Sequence, residues 1–394
     1  MYKKLFSTSI INAATAGLNI FSSFIIVKLM SLQVFGEFAI FNSILAFGGL
    51  IYAVIPSNYS IFKLQDDLKF KPVLLSFFIL SSVAFLFFVF LMKTSGIIKI
   101  DFLTVYLFGV STFFLGYFDI KFQAMGYLSK YFIMLFISAI LKIMTLIAFY
   151  FFDCLQNLSD LIWSVTLAQL LLLIIFLFED RADLRLIFKD FNVYKEAILS
   201  IKYNFSTFTP YYLNTCLKRV RENVIVLLFG KFMPKETIGL FSIFVKITSF
   251  VFGLSRTLEA FFMNRENIYK YREAFNQKIL YFAISLQFIF LCVGLVYLKM
   301  FVDRYFFIEI LILSCLVYPH VFFLLARSEM LSNYRNIEAN VSEILYILIV
   351  FVGVSISYIC ELNSIYPILI TFMLSTFGLQ IFMIFSKKNN NYNV

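Results

Sequence analysis

The sequence predicts an all-α polytopic membrane protein with about twelve transmembrane helices. These form two parallel six-helix repeats, an N-lobe and a C-lobe, around a central cavity. Three observations carry this. The 394 residues are 61% hydrophobic and only 14% charged, where a soluble chain holds about a quarter charged residues. Apolar runs of about 18 residues recur along the whole length, each long enough to cross the hydrocarbon core as a helix. One stretch also occurs twice. Lys28 to Phe41, KLMSLQVFGEFAIF, returns 203 residues later as KFMPKETIGLFSIF from Lys231 to Phe244. Lys28/Lys231, Met30/Met233, Gly36/Gly239, Phe38/Phe241, Ile40/Ile243 and Phe41/Phe244 are identical. A repeat at half the chain length implies two similar halves with the function between them.

In chain order the spans fall near 8–30, 34–56, 72–92, 102–120, 131–152, 158–178, 206–229, 236–262, 279–300, 304–325, 339–360 and 363–386. Six spans per half relate the halves by an axis along the membrane normal, so 1–178 is the N-lobe and 206–394 the C-lobe. Met1 to Lys4 lead into the first apolar run without a small-residue cleavage site, which predicts a retained span and not a signal peptide. The 179–205 linker places Leu184, Ile187, Phe188 and Phe191 at helical spacing, which predicts an amphipathic helix on the inner surface.

Charge sets the orientation. With the N-terminus in the cytoplasm, 20 of the 33 Lys and Arg residues fall on inside connections and 7 on outside ones. That bias predicts cytoplasmic termini and explains most of the +10 net charge without nucleic acid. The five cysteines have no metal spacing and read as small apolar fillers. The 54 Phe and 23 Tyr read as lipid-facing and interfacial mass.

Six basic residues remain inside spans: Lys142, Lys218, Arg219, Arg221, Lys246 and Arg256. Each costs about 2.5–3.5 kcal/mol at the centre of a lone helix, so such residues face a watery cavity or a partner. In span 1, Thr8, Asn12, Thr15, Asn19 and Ser22 share one face. The repeat maps that face onto Tyr211, Thr215, Lys218, Glu222 and Ile225 of span 7, and Asn42 marks the matching face of span 2. Helix packing through small and polar residues explains such stripes as readily as a cavity does. For the basic cluster, Glu222 can neutralise only part of the charge, so a cationic cavity for an anionic cargo is the reading. His320, after Pro319, reads as a packed imidazole on a kinked helix. Glu309 and Glu343 read as headgroup-level acids, and Asp119 as a local ion pair with Lys121.

The pattern K/R-L-M-x-x-x-x-F-G-x-F/Y-x-x-F at Lys28–Phe41, and the basic stretch KRVRENVIVLLFGKFMPKETIGLFSIF before and through its second copy, resemble the polysaccharide repeat-unit (O-antigen, Wzx-type) flippases. These belong to the multidrug/oligosaccharidyl-lipid/polysaccharide (MOP, MATE-like) exporter superfamily. The resemblance implies a multi-pass protein of the bacterial cytoplasmic (inner) membrane, with no catalytic role and no cofactor. It would carry an undecaprenyl-diphosphate-linked oligosaccharide, an O-antigen or capsule unit, from the inner to the outer leaflet by alternating access. Other polysaccharide-assembly membrane proteins would be partners. Lys218, Arg219, Arg221, Lys246, Arg256 and Lys142 would meet the diphosphate. Asn12, Thr15, Asn19 and Asn42 would face the sugar, and Glu222 would couple an ion or proton.

Two rivals remain. A MATE-like cation or drug exporter needs buried acids that span 1 lacks. A membrane-embedded polysaccharide polymerase or glycosyltransferase needs a large outer loop, and none is much beyond about ten residues. No G-x-x-x-x-G-K-[ST] is present for ATP.

Overall fold

The computed structural model describes residues 2–190, 192–262, 279–302, 307–332 and 336–389. Every regular element among them is helical. Two compact units divide the chain: Met1–Ile40 with Val220–Val394, and Phe41–Arg219. These are drawn differently from the lobes read from the sequence, because α1 (Tyr2–Leu29) groups with the second-half helices and α10 (Phe205–Phe229) is divided.

The Phe41–Arg219 unit holds the second part of α2 (Leu32–Gly48), then α3 (Ser57–Asp66), α4 (Phe70–Thr94), α5 (Phe102–Ala124), α6 (Leu128–Phe151) and α7 (Leu158–Glu179). Next come α8 (Arg181–Lys189), α9 (Asn192–Tyr203) and the start of α10. Span 2 was expected to run to residue 56. It stops at Gly48, and a 3-10 turn, Ile51–Ala53, leads into α3. Local chemistry fixes other ends. Asn157 caps α7 in a reciprocal capping box with Asp160, and Gly126 turns the chain after α5 at φ +68°.

α5 packs on α4 and α7 and supplies much of the core. Phe85, Phe118 and Tyr117 are fully buried, and Phe118 (tilted) and Phe122 (edge-on) pack against Phe176 with ring centres 5.5 Å apart. The phenylalanines are therefore core mass as well as lipid-facing mass, since aromatic edges and faces interlock between close helices. Phe87, Phe90 and Leu91 of α4 do face outward.

The linker forms two helices, not one surface helix. Ile187 of α8 and Ala197 of α9 are fully buried, with both helices packed on α4, while Phe188 is 71% exposed. Phe191 lies outside the described residues. A buried charge cluster fixes this end of the unit. Asp180, which ends α7, is bound by Lys121 Nζ of α5 at 2.5 Å and by Lys71 Nζ of α4 at 3.0 Å, and accepts from the Tyr117 hydroxyl at 3.0 Å. Burial alone would raise the Asp180 carboxyl, but Lys121 and Lys71 override it and hold it below the usual carboxylate range.

The other unit contains α1, the start of α2, the rest of α10, α11 (Lys235–Phe262), α12 (Ile279–Val302), α13 (Phe307–Ser314), α14 (Val317–Ser332), α15 (Asn336–Ile359) and α16 (Tyr366–Asn389). Span 10 is broken at Cys315–Leu316. Pro319 sits in the first turn of α14, where its missing N–H leaves no bond unmade. The repeat is visible in the fold. α2 starts at Leu32 and α11 at Lys235, and Phe38, Phe41, Phe241 and Phe244 are all buried.

Its two glycines meet. A Cβ at Gly36 would lie 1.9 Å from the Lys235 carbonyl oxygen and 2.9 Å from the Gly239 nitrogen. One at Gly239 would lie 2.2 Å from the Leu32 carbonyl oxygen. Only residues without a Cβ allow these two helix starts to cross backbone to backbone.

Six described helical stretches are long and apolar enough to cross a membrane: Phe70–Thr94, Phe102–Ala124, Ser129–Phe151, Leu158–Glu179, Asn340–Ile359 and Tyr366–Phe385. α10 carries Lys218, Arg219, Arg221 and Glu222 within five residues, and α11 carries Lys246; that charge is the starting point for the site.

Candidate functional site

The residues proposed from the sequence fall in both units. In the Phe41–Arg219 unit, Lys142 of α6 is half-buried and forms no ion pair among the described residues. Asn42 and Lys218 are also half-buried. The Arg219 guanidinium lies 5.9 Å from the Phe113 ring centre, a cation–π contact.

In the other unit, Lys246 Nζ lies 5.6 Å from the Phe35 ring. Arg221 is held in place: its Nε is 2.9 Å from Glu343 Oε2 on α15, an ionic contact without the alignment of a hydrogen bond. Glu222 points outward with its side chain 46% exposed, 3.7 Å from Arg221. Thr15 is buried and donates to its own helix at the Ile11 carbonyl, 2.8 Å away. Asn19 is exposed, and its carbonyl accepts from Ser22 and Ser23. The side chains of Asn12 and Arg256 lie outside the described residues.

Three acids differ from expectation. Glu343, expected to be solvated, is 3% exposed and paired with Arg221. Glu309 is 7% exposed and accepts from the Tyr366 hydroxyl at 2.9 Å. In both cases a partner on another helix compensates the burial of the carboxylate. Asp119 does not pair with Lys121, because residues i and i+2 point to opposite sides of a helix. Lys121 reaches Asp180 instead. His320 is buried, stacked on Phe252 at 3.5 Å, with Gln380 Nε2 3.5 Å from Nδ1, as a packed imidazole.

The structure adds a cavity that the sequence reading missed. It measures about 340 Å³, lies within the Phe41–Arg219 unit, and is lined among others by Tyr52, Phe113, Asp119, Ser138, Thr215 and Arg219. Among the described residues, Asp119 Oδ1 is buried and has no hydrogen-bond partner. One signal was available: Thr112, Gly116 and Asp119 follow at spacings of four and three, one polar, small-residue face of α5. Thr215 and Arg219, four apart, line the same cavity from α10. Lys218, predicted to share the Thr215 face, is not among the residues lining it.

No protein-family model and no curated protein matches the sequence. Solved structures do match. A mutant of the Vibrio cholerae MATE transporter VcmN superposes with a TM-score of 0.66 at 12% identity, covering 100% of this chain and 97% of that one. The eukaryotic MATE transporter AtDTX14 gives 0.57 at 10% identity, over 99% and 94% of the two chains. The lipid II flippase MurJ, in an inward closed conformation, gives 0.51 at 14% identity, over 97% and 86%. At such low identity the likeness is one of fold. The chain has the transporter fold shared by the MATE proteins of the MOP superfamily and the flippase MurJ.

Proposed function

We propose that this protein is a flippase of the bacterial cytoplasmic membrane. Its cargo is a lipid-diphosphate-linked oligosaccharide, an O-antigen or capsule repeat unit, moved from the inner to the outer leaflet by alternating access. The observation that carries this is the set of half-buried lysines near the middles of three helices, Lys142 in α6, Lys218 in α10 and Lys246 in α11. Ammonium groups at that depth are retained when they meet charge along a transport path, and a diphosphate supplies it. Arg221 has a narrower role here than its sequence position suggests, because Glu343 already engages it. It braces α10 against α15. Arg219 and Arg256 remain diphosphate candidates, Asn12, Asn19 and Asn42 sugar candidates, and Glu222 the coupling candidate. The cargo lipid is undecaprenyl diphosphate in this reading, and both termini are cytoplasmic.

A second reading, a MATE-like exporter of organic cations, has Asp119 in its favour, since an unpartnered buried carboxyl suits a cation. Arg219 on the same cavity opposes it.

Proteoliposomes separate the two. Wild type, Lys218→Gln and Lys246→Gln are compared for flipping of a lipid-diphosphate oligosaccharide and for efflux of a cationic dye. The flippase reading expects wild-type flipping and at least a tenfold loss in both variants with insertion intact. Dye efflux without flipping would replace it with the exporter reading.

A further inference from the structure

The α5 cavity contains one acid, one base and several hydroxyls, and that mixture defines what it can hold. Asp119 Oδ1 is an acceptor with nothing donating to it. Arg219 brings a donor-only guanidinium to the same cavity, and Ser57 and Ser138 bring hydroxyls. Thr112 and Tyr52 line it too, but their hydroxyl protons are already committed. Thr112 Oγ1 donates to the Phe108 carbonyl at 2.7 Å, and Tyr52 donates to Ser82 Oγ at 2.9 Å. Phe78, Phe113 and the Tyr52 ring supply aromatic walls.

Three ligand classes can be weighed against this. A metal or organic cation would gain the carboxylate but share a low-dielectric cavity with a guanidinium, and like charges there repel strongly. An anion meets the reverse problem at Asp119. A neutral polyhydroxyl compound meets neither. Its hydroxyls donate to the carboxylate, accept from Arg219, and exchange bonds with serines, while its C–H faces lie on the electron-rich ring faces. At about 340 Å³ the cavity lies within the range of small-molecule sites.

We propose that this cavity is a saccharide subsite: Asp119 is the hydrogen-bond acceptor for hydroxyls of a neutral sugar, with Arg219 as the opposing donor. Its lining belongs to the Phe41–Arg219 unit, whereas Lys246 and Arg221 belong to the other, and so it offers the sugar a different set of contacts from the diphosphate. The inference deepens the flippase reading and rests on it for its biological role, but sugar binding can be measured without transport.

The test uses the full chain in nanodiscs. Saturation-transfer NMR is run with neutral hexoses, 6-deoxyhexoses and N-acetylhexosamines, each at millimolar concentration, on wild type, Asp119→Asn and Asp119→Ala. At least one sugar is expected to give transfer that weakens about tenfold or more in Asp119→Ala, with a smaller loss in Asp119→Asn, whose amide oxygen still accepts. The deoxy analogue lacking the contacted hydroxyl should fall out with wild type alone, because a polar site left unpaired rejects it.

Thermal unfolding of the same samples, with and without sodium, checks folding and the rival ligand. Because Asp119 Oδ1 has no hydrogen-bond partner to lose among the described residues, neither variant should unfold below wild type. No Asp119-dependent transfer from any sugar, or sodium protection that disappears in Asp119→Asn, overturns the proposal. Loss of flipping in Lys218→Gln beside absent sugar transfer would sink the subsite and spare the flippase. Sugar transfer in a protein that flips nothing would do the reverse.

Discussion

Replacing Gly36 by alanine tests the central crossing of the repeat. The new methyl carbon would lie 1.9 Å from the Lys235 carbonyl oxygen. An ordinary carbon–oxygen contact is above 3 Å, so α2 and α11 must part by about 1.2 Å or more at this point, and overpacking of this kind costs about 1–3 kcal/mol. Gly239→Ala meets the Leu32 carbonyl oxygen at 2.2 Å and should cost a similar amount. Because both methyls push the same two backbones apart, the double variant should cost clearly less than the sum of the singles. Gly17→Ala is the control: nothing lies within 4 Å of its Cβ position, and alanine there should stabilise α1 by about 0.5–1 kcal/mol. Thermal unfolding in nanodiscs, with amide exchange followed at the starts of α2 and α11, measures all four. If Gly36→Ala behaves like Gly17→Ala, or the two costs add in full, the two helix starts do not cross backbone to backbone and the reasoning fails.

Asp180→Asn should cost about 3–5 kcal/mol, because it leaves the buried Lys121 ammonium without its partner. The pH dependence follows the same group. A carboxyl held below its unfolded value near 3.9 contributes stability that is complete above about pH 4 and lost as pH falls through the folded value. Urea unfolding from pH 7 to pH 3 should show a loss in wild type that is absent in Asp180→Asn. At the other ion pair, Arg221→Gln or Glu343→Gln alone should destabilise more than Arg221→Met with Glu343→Leu together, since the double change leaves no unpaired buried charge. Equal costs in a thermal unfolding comparison would remove Arg221 from its bracing role.

Helix type and the rough position of the long helices were legible because crossing a membrane requires long apolar runs with internally satisfied backbones. The two copies share Gly36 and Gly239, where a Cβ would meet backbone, and buried phenylalanines after them, and these identical residues made the repeat legible. What the sequence by itself determined was therefore the helical fold, its internal duplication and which helices carry charge. Partners were not legible. A run of residues gives the face of a helix by its 3.6 period, but not which neighbour that face meets. Lys121 lies two residues from Asp119 yet pairs with Asp180, 59 positions away. Arg221 lies 2.9 Å from Glu343 on α15, closer than the 3.7 Å to Glu222 beside it. Glu309, taken for a headgroup-level acid, is covered by Tyr366. Only the tertiary structure decided which charges were neutralised, and it left Asp119 Oδ1 without a donor at the wall of a cavity. The physical reason is that solvation and pairing of a charge depend on packing between helices, and that is set by every contact at once.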